Sequence, residues 1–164
     1  MAQETRAWIG LGANLGAREA ALRGALAGMA ALPGTRVLRV SSLYRSAPVD
    51  AGGPDYLNAV AEIATTLPPL ALLHALQALE QAAGRERPYR NAPRTLDLDI
   101  LFYGDVHLES AALTLPHPRL HERAFVLLPL AELAPERVVP EWLAGVAGQA
   151  IERLGGVGWG EGPS

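Results

Sequence analysis

The chain has 164 residues, a formal net charge of −3 at pH 7 and no cysteine. The missing cysteine excludes disulfides, thiolate zinc sites and cysteine nucleophiles, and the negative charge argues against a general nucleic-acid binder. All 14 basic residues are arginines, which excludes Schiff-base chemistry and the lysine of a Walker A motif.

The first part of the chain predicts two strands separated by a helix. Residues 6–12, "RAWIGLG", are typical of a strand that ends in a glycine turn. The helix that follows is ended by Pro33 and Gly34, and residues 35–46 predict the next strand. The apolar positions of this helix recur at helical spacing: Leu22, Ala25, Leu26, Met29 and Leu32.

The central part predicts a strand, a helix and a further strand. A turn-rich loop, "APVDAGGPD", leads into the third strand, "YLNAVAEIATTL". Thr66 and the prolines that follow it begin a second helix, and Gly84 is placed to end it. An arginine-rich loop then precedes the fourth strand, "TLDLDILFY", and Gly104 and Asp105 are expected to turn a hairpin into "VHLES".

The order β-α-β-β-α-β predicts an α+β chain with a ferredoxin-like core. We expect an extended antiparallel sheet with two helices on one face, and helical additions from the C-terminal part. Residues 1–164 are expected to form a single domain with a loose tail from about residue 155. No apolar run reaches transmembrane length, and "MAQETRAWIG" lacks the layout of a signal peptide, so a cytoplasmic location is expected.

The segment "GLGANLG" comes close to a dinucleotide-binding fingerprint through Gly10, Gly12 and Gly16. However, Leu15 stands where that fingerprint needs its third glycine, and no acidic residue follows at the distance of about 20 residues expected for a ribose contact. A structural turn from strand to helix is the preferred interpretation.

Two aspartates, Asp97 and Asp99, interrupt the apolar run "LDLDILF". Residues two apart on a strand point to one face, with Cα atoms ~6.7 Å apart, while Leu96, Leu98 and Ile100 point into the core. Ionised carboxylates among apolar neighbours are costly unless they are paired or bound to a metal. Two interpretations stay open from spacing alone: a Mg²⁺ site shared with substrate phosphates, or ion pairs to nearby arginines.

Those arginines are Arg85, Arg87, Arg90 and Arg94, in a loop punctuated by two prolines. A solvated charged loop is one interpretation. Guanidinium groups also match phosphate oxygens bidentately, and arginines for phosphates beside acids for magnesium are typical of phosphoryl transfer.

The histidines carry weaker signals. His117 lies between two prolines, so it is expected to be rigid and exposed and would suit a phosphate donor. His74, His107 and His121 are expected at or near the surface, and none pairs obviously with a nucleophile.

Three separated motifs, "PDYLN", "PRTLDLDILFYG" and "LPHPRLHERAFVLLPLAELAPE", resemble the 6-hydroxymethyl-7,8-dihydropterin pyrophosphokinase family. The likeness begins at "IGLGANLG" and runs to about residue 136. It implies a ferredoxin-like fold and transfer of the β,γ-diphosphate of ATP to a pterin hydroxymethyl group, with two Mg²⁺ ions, in folate biosynthesis. The implied partners are ATP and the pterin, with no nucleic acid or membrane, and a monomer is expected.

The resemblance also implies roles for single residues. Asp97 and Asp99 match its metal ligands, and together with Arg85 and Arg94 they match its catalytic group. On the nucleotide side the matched positions are Gln77, Glu80, Arg87, Ile100, His117 and Arg123, and Arg90 falls with Arg87 in the family's mobile lid. On the pterin side they are Ser46, Val49, Tyr56, Asn58 and Phe125, of which Tyr56 and Phe125 match the pair that sandwiches the ring.

One departure and two alternatives accompany this resemblance. Many members carry Arg-Trp-Gly in the lid, where this chain has Arg90-Asn91-Ala92. A two-metal nucleotidyltransferase or cyclase would also place paired aspartates on such a sheet, but it needs a third carboxylate, for which Glu62 is the candidate. A ligand-sensing module without catalysis would need no metal pair.

Overall fold

The computed structural model describes residues 3–13, 18–46, 56–83 and 96–155. Two single turns of 3-10 helix, Leu120–Glu122 and Pro135–Arg137, lie before and after the helix Ala124–Leu133. The elements in chain order are β1 (Thr5–Ala13), α1 (Arg18–Ala30), β2 (Thr35–Val40), β3 (Leu43–Ser46), β4 (Tyr56–Thr65), α2 (Pro69–Ala83), β5 (Asp97–Tyr103), β6 (Leu108–Glu109), β7 (Thr114–Leu115), α3 (Ala124–Leu133), α4 (Pro140–Gly145) and β8 (Ile151–Gly155).

The main sheet has the strand order β5-β1-β4-β3-β8, and β2 pairs with the C-terminal half of β4. Its strand pairings are antiparallel. The prediction of a chain that combines helices with an antiparallel sheet is therefore confirmed. No helix within the described ranges is long and apolar enough to cross a bilayer.

The two faces of the sheet carry separate cores because successive side chains on a strand alternate between faces. Ile9 and Leu11 of β1 pack with α1 and α2 in one core. Trp8 of β1 and Val60 of β4 pack on the opposite face against α3, whose Leu127 is fully buried. We call this second side the α3 face.

Three strand boundaries differ from the sequence-based expectation. β1 continues to Ala13, so Gly10 and Gly12 lie inside the strand and not in a turn. Residues 35–46 form two strands because Ser41 and Ser42 break the ladder. The Ser41 amide still donates to the Val60 carbonyl, but the Val60 amide donates to the Ser41 hydroxyl in place of a main-chain carbonyl, and the Ser42 amide donates to the Glu132 carboxylate. Regular main-chain pairing with β4 is interrupted there.

The C-terminal part also differs from expectation. The turn at Gly104 is present, with a φ of 53°, but β6 pairs with β7 and not with β5, so the expected hairpin is wrong. Ile151–Gly155, which lies in the part expected to carry helical additions, instead forms β8 and extends the sheet beside β3. The helical additions are present as α3 and α4. The remainder of the expected tail, residues 156–164, lies outside the described ranges.

Replacing Arg39 by alanine should destabilise the fold far more than replacing Arg36. Glu62 is 1% exposed, and its Oε1 accepts from Arg39 Nη2 at 2.6 Å. Its Oε2 lies 3.6 Å from Arg6 Nη1. Loss of Arg39 leaves a buried carboxylate poorly compensated, and we expect the free energy of unfolding to fall by about 3 kcal/mol.

The matched control is Arg36→Ala, since Arg36 pairs with Glu4 at 2.9 Å on the exposed edge of the same sheet. An exposed pair contributes about 1 kcal/mol or less. Urea unfolding of both variants measures the difference. Equal losses in the two variants would show that burial of Glu62 does not govern the energetics of its pair.

Candidate functional site

One end of the α3 face brings together most of the described residues singled out in the sequence. Gly12 of β1 lies opposite Asp97 of β5 on one side and opposite Asn58 of β4 on the other. Gly10 lies opposite Asp99 in the same way. Residues that pair across antiparallel strands point to the same face, so both carboxylates border a strip of β1 that carries no side chains.

The glycine at position 12 allows neighbouring side chains to lie close to the backbone. A Cβ atom there would come within 3.3 Å of Asn58 Nδ2 and 3.8 Å of Tyr56 Cδ1. The structural reason for this glycine is close side-chain approach, in place of the turn that the sequence suggested.

The two aspartates follow the predicted alternation. Leu98 and Ile100 are 5% and 2% exposed and belong to the core under α1 and α2, whereas Asp97 and Asp99 are half-buried on the α3 face. Two carboxylates on one strand face supply the hard oxygen ligands that suit Mg²⁺ bound together with substrate phosphates. The described residues contain no group of three or more His, Cys, Asp or Glu side chains arranged for a metal. The two carboxylates themselves fit a metal whose coordination is completed by substrate oxygens.

Asn58 is oriented by a second buried residue. Its side chain is almost fully buried, and the Ser46 hydroxyl donates to its Oδ1 at 2.6 Å. This hydrogen bond directs Oδ1 towards β3, and Nδ2 lies over Gly12. A fixed carboxamide beside an open strip of backbone is suited to hydrogen bonding with a flat heterocycle.

Tyr44 and Glu132 connect α3 to this end of the sheet. Tyr44 of β3 lies opposite Asn58 of β4, and the Tyr44 hydroxyl donates to the Glu132 carboxylate. Burial and then the Glu132 carboxylate raise the pKa of Tyr44, so it remains a protonated donor at neutral pH. No local pattern in the sequence predicts this contact, because the two residues are 88 positions apart and Glu132 has no distinctive spacing.

His117, Arg123 and Phe125 lie at the same end. Burial and then the positive charge of Arg123 lower the pKa of His117, whereas Asp97 opposes the shift. His117 is half-buried, so the expectation that it is exposed was wrong. Its Nδ1 accepts from the Arg119 amide at 3.2 Å, which leaves Nε2 to carry the proton of the neutral ring. The Arg123 guanidinium lies 5.5 Å from the centre of the Phe125 ring. His74, His107 and His121 are exposed, in agreement with their expected surface positions.

The predicted nucleotide-side residues of α2 and β5 have different settings. Glu80 Oε2 accepts from the Leu98 amide at 2.7 Å, which ties α2 to β5 between the two aspartates. Gln77 is exposed on α2, about one turn earlier. The Ile100 side chain is buried on the opposite face, so only its main chain could face a nucleotide bound over the aspartates.

Several predicted residues lie outside the described ranges. These are the four loop arginines, Val49, and the Asn91-Ala92 departure. Glu62, the candidate third carboxylate for a nucleotidyltransferase, is described. It lies opposite Trp8, and therefore farther along the sheet from Gly12 than Gly10 is. Its carboxylate forms ion pairs with Arg39 and Arg6. This position speaks against a third metal ligand at Glu62.

Comparison with known proteins gives consistent matches. A profile of the family described as 7,8-dihydro-6-hydroxymethylpterin-pyrophosphokinase (HPPK) matches residues 8–135. Two relatives are each named 2-amino-4-hydroxy-6-hydroxymethyldihydropteridine pyrophosphokinase. The one from Pseudomonas aeruginosa is 46% identical over 158 residues, which cover 92% of this chain and 98% of the relative. The one from Synechocystis is 48% identical over 132 residues, which cover 80% and 68%.

A solved structure gives a match in fold. It is an HPPK-DHPS protein from Plasmodium falciparum, with a TM-score of 0.68 and 15% identity. The match covers 89% of this chain and 44% of that protein, so this chain spans less than half of its length. At this identity the likeness concerns the fold alone.

Proposed function

Because the chain belongs to the 7,8-dihydro-6-hydroxymethylpterin-pyrophosphokinase family, we infer that it transfers diphosphate from ATP to 6-hydroxymethyl-7,8-dihydropterin in folate biosynthesis. The products are AMP and the pterin diphosphate. The observation that carries this conclusion is the family match over residues 8–135, which spans every described residue of the site.

We propose that Asp97 and Asp99 hold two Mg²⁺ ions against the triphosphate. Bound there, the ions would neutralise phosphate charge and orient the oxygens of the migrating group. Arg85 and Arg94 are proposed to contact the transferring diphosphate. Arg87 and Arg90 are proposed to act mainly through loop closure.

The remaining nucleotide contacts are proposed on the side of α2 and of the segment before α3. His117, as a neutral donor, and Arg123 would bind phosphate oxygens or ribose hydroxyls, with Gln77, Glu80 and the main chain of Ile100 beside them. The hydrogen bond from the Leu98 amide to Glu80 supports a partly structural role for Glu80, since this bond fixes β5 between the two aspartates.

The pterin is proposed to lie against the glycine strip. Tyr56 and Phe125 would stack on its ring, and Asn58, held by Ser46, would pair with its polar edge. Main-chain groups at Ser46 and Val49 would complete the contacts. The ring would then be held with its hydroxymethyl oxygen directed at the β-phosphorus of ATP.

Positioning and charge neutralisation carry most of the catalysis in this proposal. Phosphoryl transfer passes through a loose transition state, which needs little proton abstraction before the hydroxyl attacks. No strong general base appears among the residues matched to the site, which is consistent with that view.

We also propose that the core is ferredoxin-like, a classification supported by the strand order β5-β1-β4 with β2 and β3 both pairing with β4. The protein is proposed to act as a monomer.

The identity of the nucleotide product tests this function. With Mg²⁺, ATP and the reduced hydroxymethylpterin, attack at the β-phosphorus releases AMP in step with pterin diphosphate. An ordinary kinase would release ADP, and a nucleotidyltransferase would release pyrophosphate. Chromatography of the nucleotides distinguishes the three outcomes, with a chelated sample as the control. Accumulation of ADP or pyrophosphate would overturn the proposal.

Gly12→Ala should weaken pterin binding more than ATP binding. The new Cβ would lie 3.3 Å from Asn58 Nδ2, so the carboxamide must move from its place beside the proposed pterin site. We expect the KM for the pterin to rise about tenfold, which corresponds to ~1.4 kcal/mol. Steady-state kinetics with each substrate varied in turn measures this effect.

The matched control is Gly24→Ala in α1, where an added Cβ meets no atom within 4 Å. Its KM values should equal those of the parent protein. A normal pterin KM in Gly12→Ala would show that the Asn58 carboxamide tolerates displacement and does not bind the ring.

A further inference from the structure

Gln149 makes two hydrogen bonds to the main chain at the beginning of α3. Its Oε1 accepts from the Ala124 amide at 2.9 Å, and its Nε2 donates to the Glu122 carbonyl at 2.8 Å. The two bonded main-chain groups lie on either side of Arg123. A single side chain from the C-terminal segment therefore fixes the backbone around this arginine.

The start of α3 has no other side-chain cap. The first amides of a helix lack acceptors within the helix and usually bond to a Ser, Thr, Asp or Asn at the cap position. Here the cap residue is Arg123, with φ −128° and ψ 113°, and it makes no capping hydrogen bond. Gln149 supplies the missing acceptor from 25 residues further along the chain.

This junction carries one proposed residue for each substrate. Arg123, before Ala124, is proposed on the nucleotide side, and Phe125, after it, is proposed to stack on the pterin. The two side chains also contact each other, since the guanidinium lies 5.5 Å from the ring centre. A change in the backbone at Ala124 would therefore move both contacts together.

The segment that carries Gln149 is anchored on both sides. Val146 is buried in the core under α3, and the Gln149 amide donates to its carbonyl at 3.0 Å. After Gln149 the chain enters β8, which pairs with β3, the strand that ends at Ser46. The Gln149 side chain itself is exposed, so its two hydrogen bonds do not serve to fill a core.

We propose that Gln149 is a positioning residue of the pyrophosphokinase reaction, which caps α3 from outside and sets the placement of Arg123 and Phe125. It lies beyond residues 8–135, the part that matches the family profile. The proposal rests on the proposed function, because it needs ATP and the pterin to bind on either side of Ala124.

The test compares two substitutions at this position in the full chain. Gln149→Leu removes both hydrogen bonds at similar side-chain size, whereas Gln149→Glu keeps an acceptor for the Ala124 amide. We expect Gln149→Leu to raise the KM for ATP and the KM for the pterin each by about tenfold, with kcat changed less than about twofold. Gln149→Glu should recover part of the loss and keep both KM increases below tenfold, because the acceptor at the helix N-terminus remains and a negative charge is favourable there. Its second oxygen replaces the donor to the Glu122 carbonyl, so that bond is not recovered.

Thr35→Ala is the matched control for a general loss of stability. Thr35 also makes two side-chain hydrogen bonds, to the Pro33 carbonyl and to Thr65. Thr65 is seven residues from Asn58 along β4, a separation of roughly 23 Å. Thr35→Ala and Gln149→Leu should each lower Tm by no more than about 4 °C, and only Gln149→Leu should change the two KM values.

The outcomes separate this inference from the proposed function. If the parent protein produces no AMP, both fall together. If the parent protein is active and both KM values of Gln149→Leu stay within about twofold of the parent, the positioning role alone is overturned. Equal KM increases in Thr35→Ala would also overturn it, because they would show general loosening. If Gln149→Leu fails to fold, Gln149→Glu decides, since KM increases clearly below tenfold support the acceptor role, whereas increases of tenfold or more at normal Tm refute it.

Discussion

Asp97→Ala and Asp99→Ala should each lower turnover by about 100-fold or more while the protein stays folded. Both carboxylates border the glycine strip of β1 on the α3 face, where the triphosphate is proposed to bind. Loss of either one would remove a proposed metal ligand and with it part of the charge stabilisation of the transition state. The aspartates are half-buried and lie outside both apolar cores, so we expect the free energy of unfolding to change by about 1 kcal/mol or less.

The measurement is AMP formation at saturating ATP and pterin over a series of Mg²⁺ concentrations, with urea unfolding in parallel. Asp105→Ala is the matched control, because Asp105 follows the same strand but is 97% exposed and pairs with Arg137. It should retain parent activity. Near-normal turnover of either Asp97→Ala or Asp99→Ala would remove that residue from the metal site.

Arg94→Ala should lower kcat by about 100-fold with only a small change in the KM for ATP. Arg94 precedes Asp97 by three residues, so its Cα lies at most ~11 Å away from that of the proposed metal ligand. A guanidinium that contacts the migrating diphosphate, as proposed for Arg94, would contribute mainly where charge develops in the transition state. Single-turnover kinetics combined with ATP binding separates this effect from ground-state affinity.

The comparison is with Arg87→Ala and Arg90→Ala, which lie in the middle of the loop. For these two we expect smaller losses, in the steps of closure and product release. Arg36→Ala, on β2 at the other end of the sheet, is the control for the removal of one positive charge, and its activity should equal that of the parent protein. Equal losses for all loop arginines, seen only in ATP affinity, would favour a diffuse electrostatic patch.

Much of the fold followed from the sequence because apolar spacing is a local signal. The alternation in "LDLDILF" predicted β5 and the face of its aspartates, since one side of that strand is fully buried. β8 gave no such signal, because Glu152 and Arg153 are exposed at the edge of the sheet. Gly12 misled in another way, since the close approach of a neighbouring side chain, which favours a glycine, leaves the same trace in a sequence as a turn.

The sequence pointed to the residues with the chemistry of the candidate site, but not to the residues that hold them in place. Asp97, His117 and Arg123 stand out through residue type and through resemblance, and the structure places them at one end of the α3 face. Glu132 and Gln149 act on residues 88 and 25 positions away and carry no local pattern. Only the folded chain brings such pairs together, so a single sequence gives no reason to select them.

The late position of β8 has a consequence for how the protein is made. Arg45 of β3 and its partner Glu152 are 107 residues apart, so the outer edge of β3 stays without its β8 partner until those further residues have been synthesised. In that interval a nascent chain can pair β1 with β4 and β5 but presents an open strand edge, which is prone to association with other chains. Gln149, which caps α3, is made just before β8. A chain released before residues 149–155 are made would therefore expose an open strand edge and lack this cap, so its demand for chaperones should exceed that of a chain that includes β8.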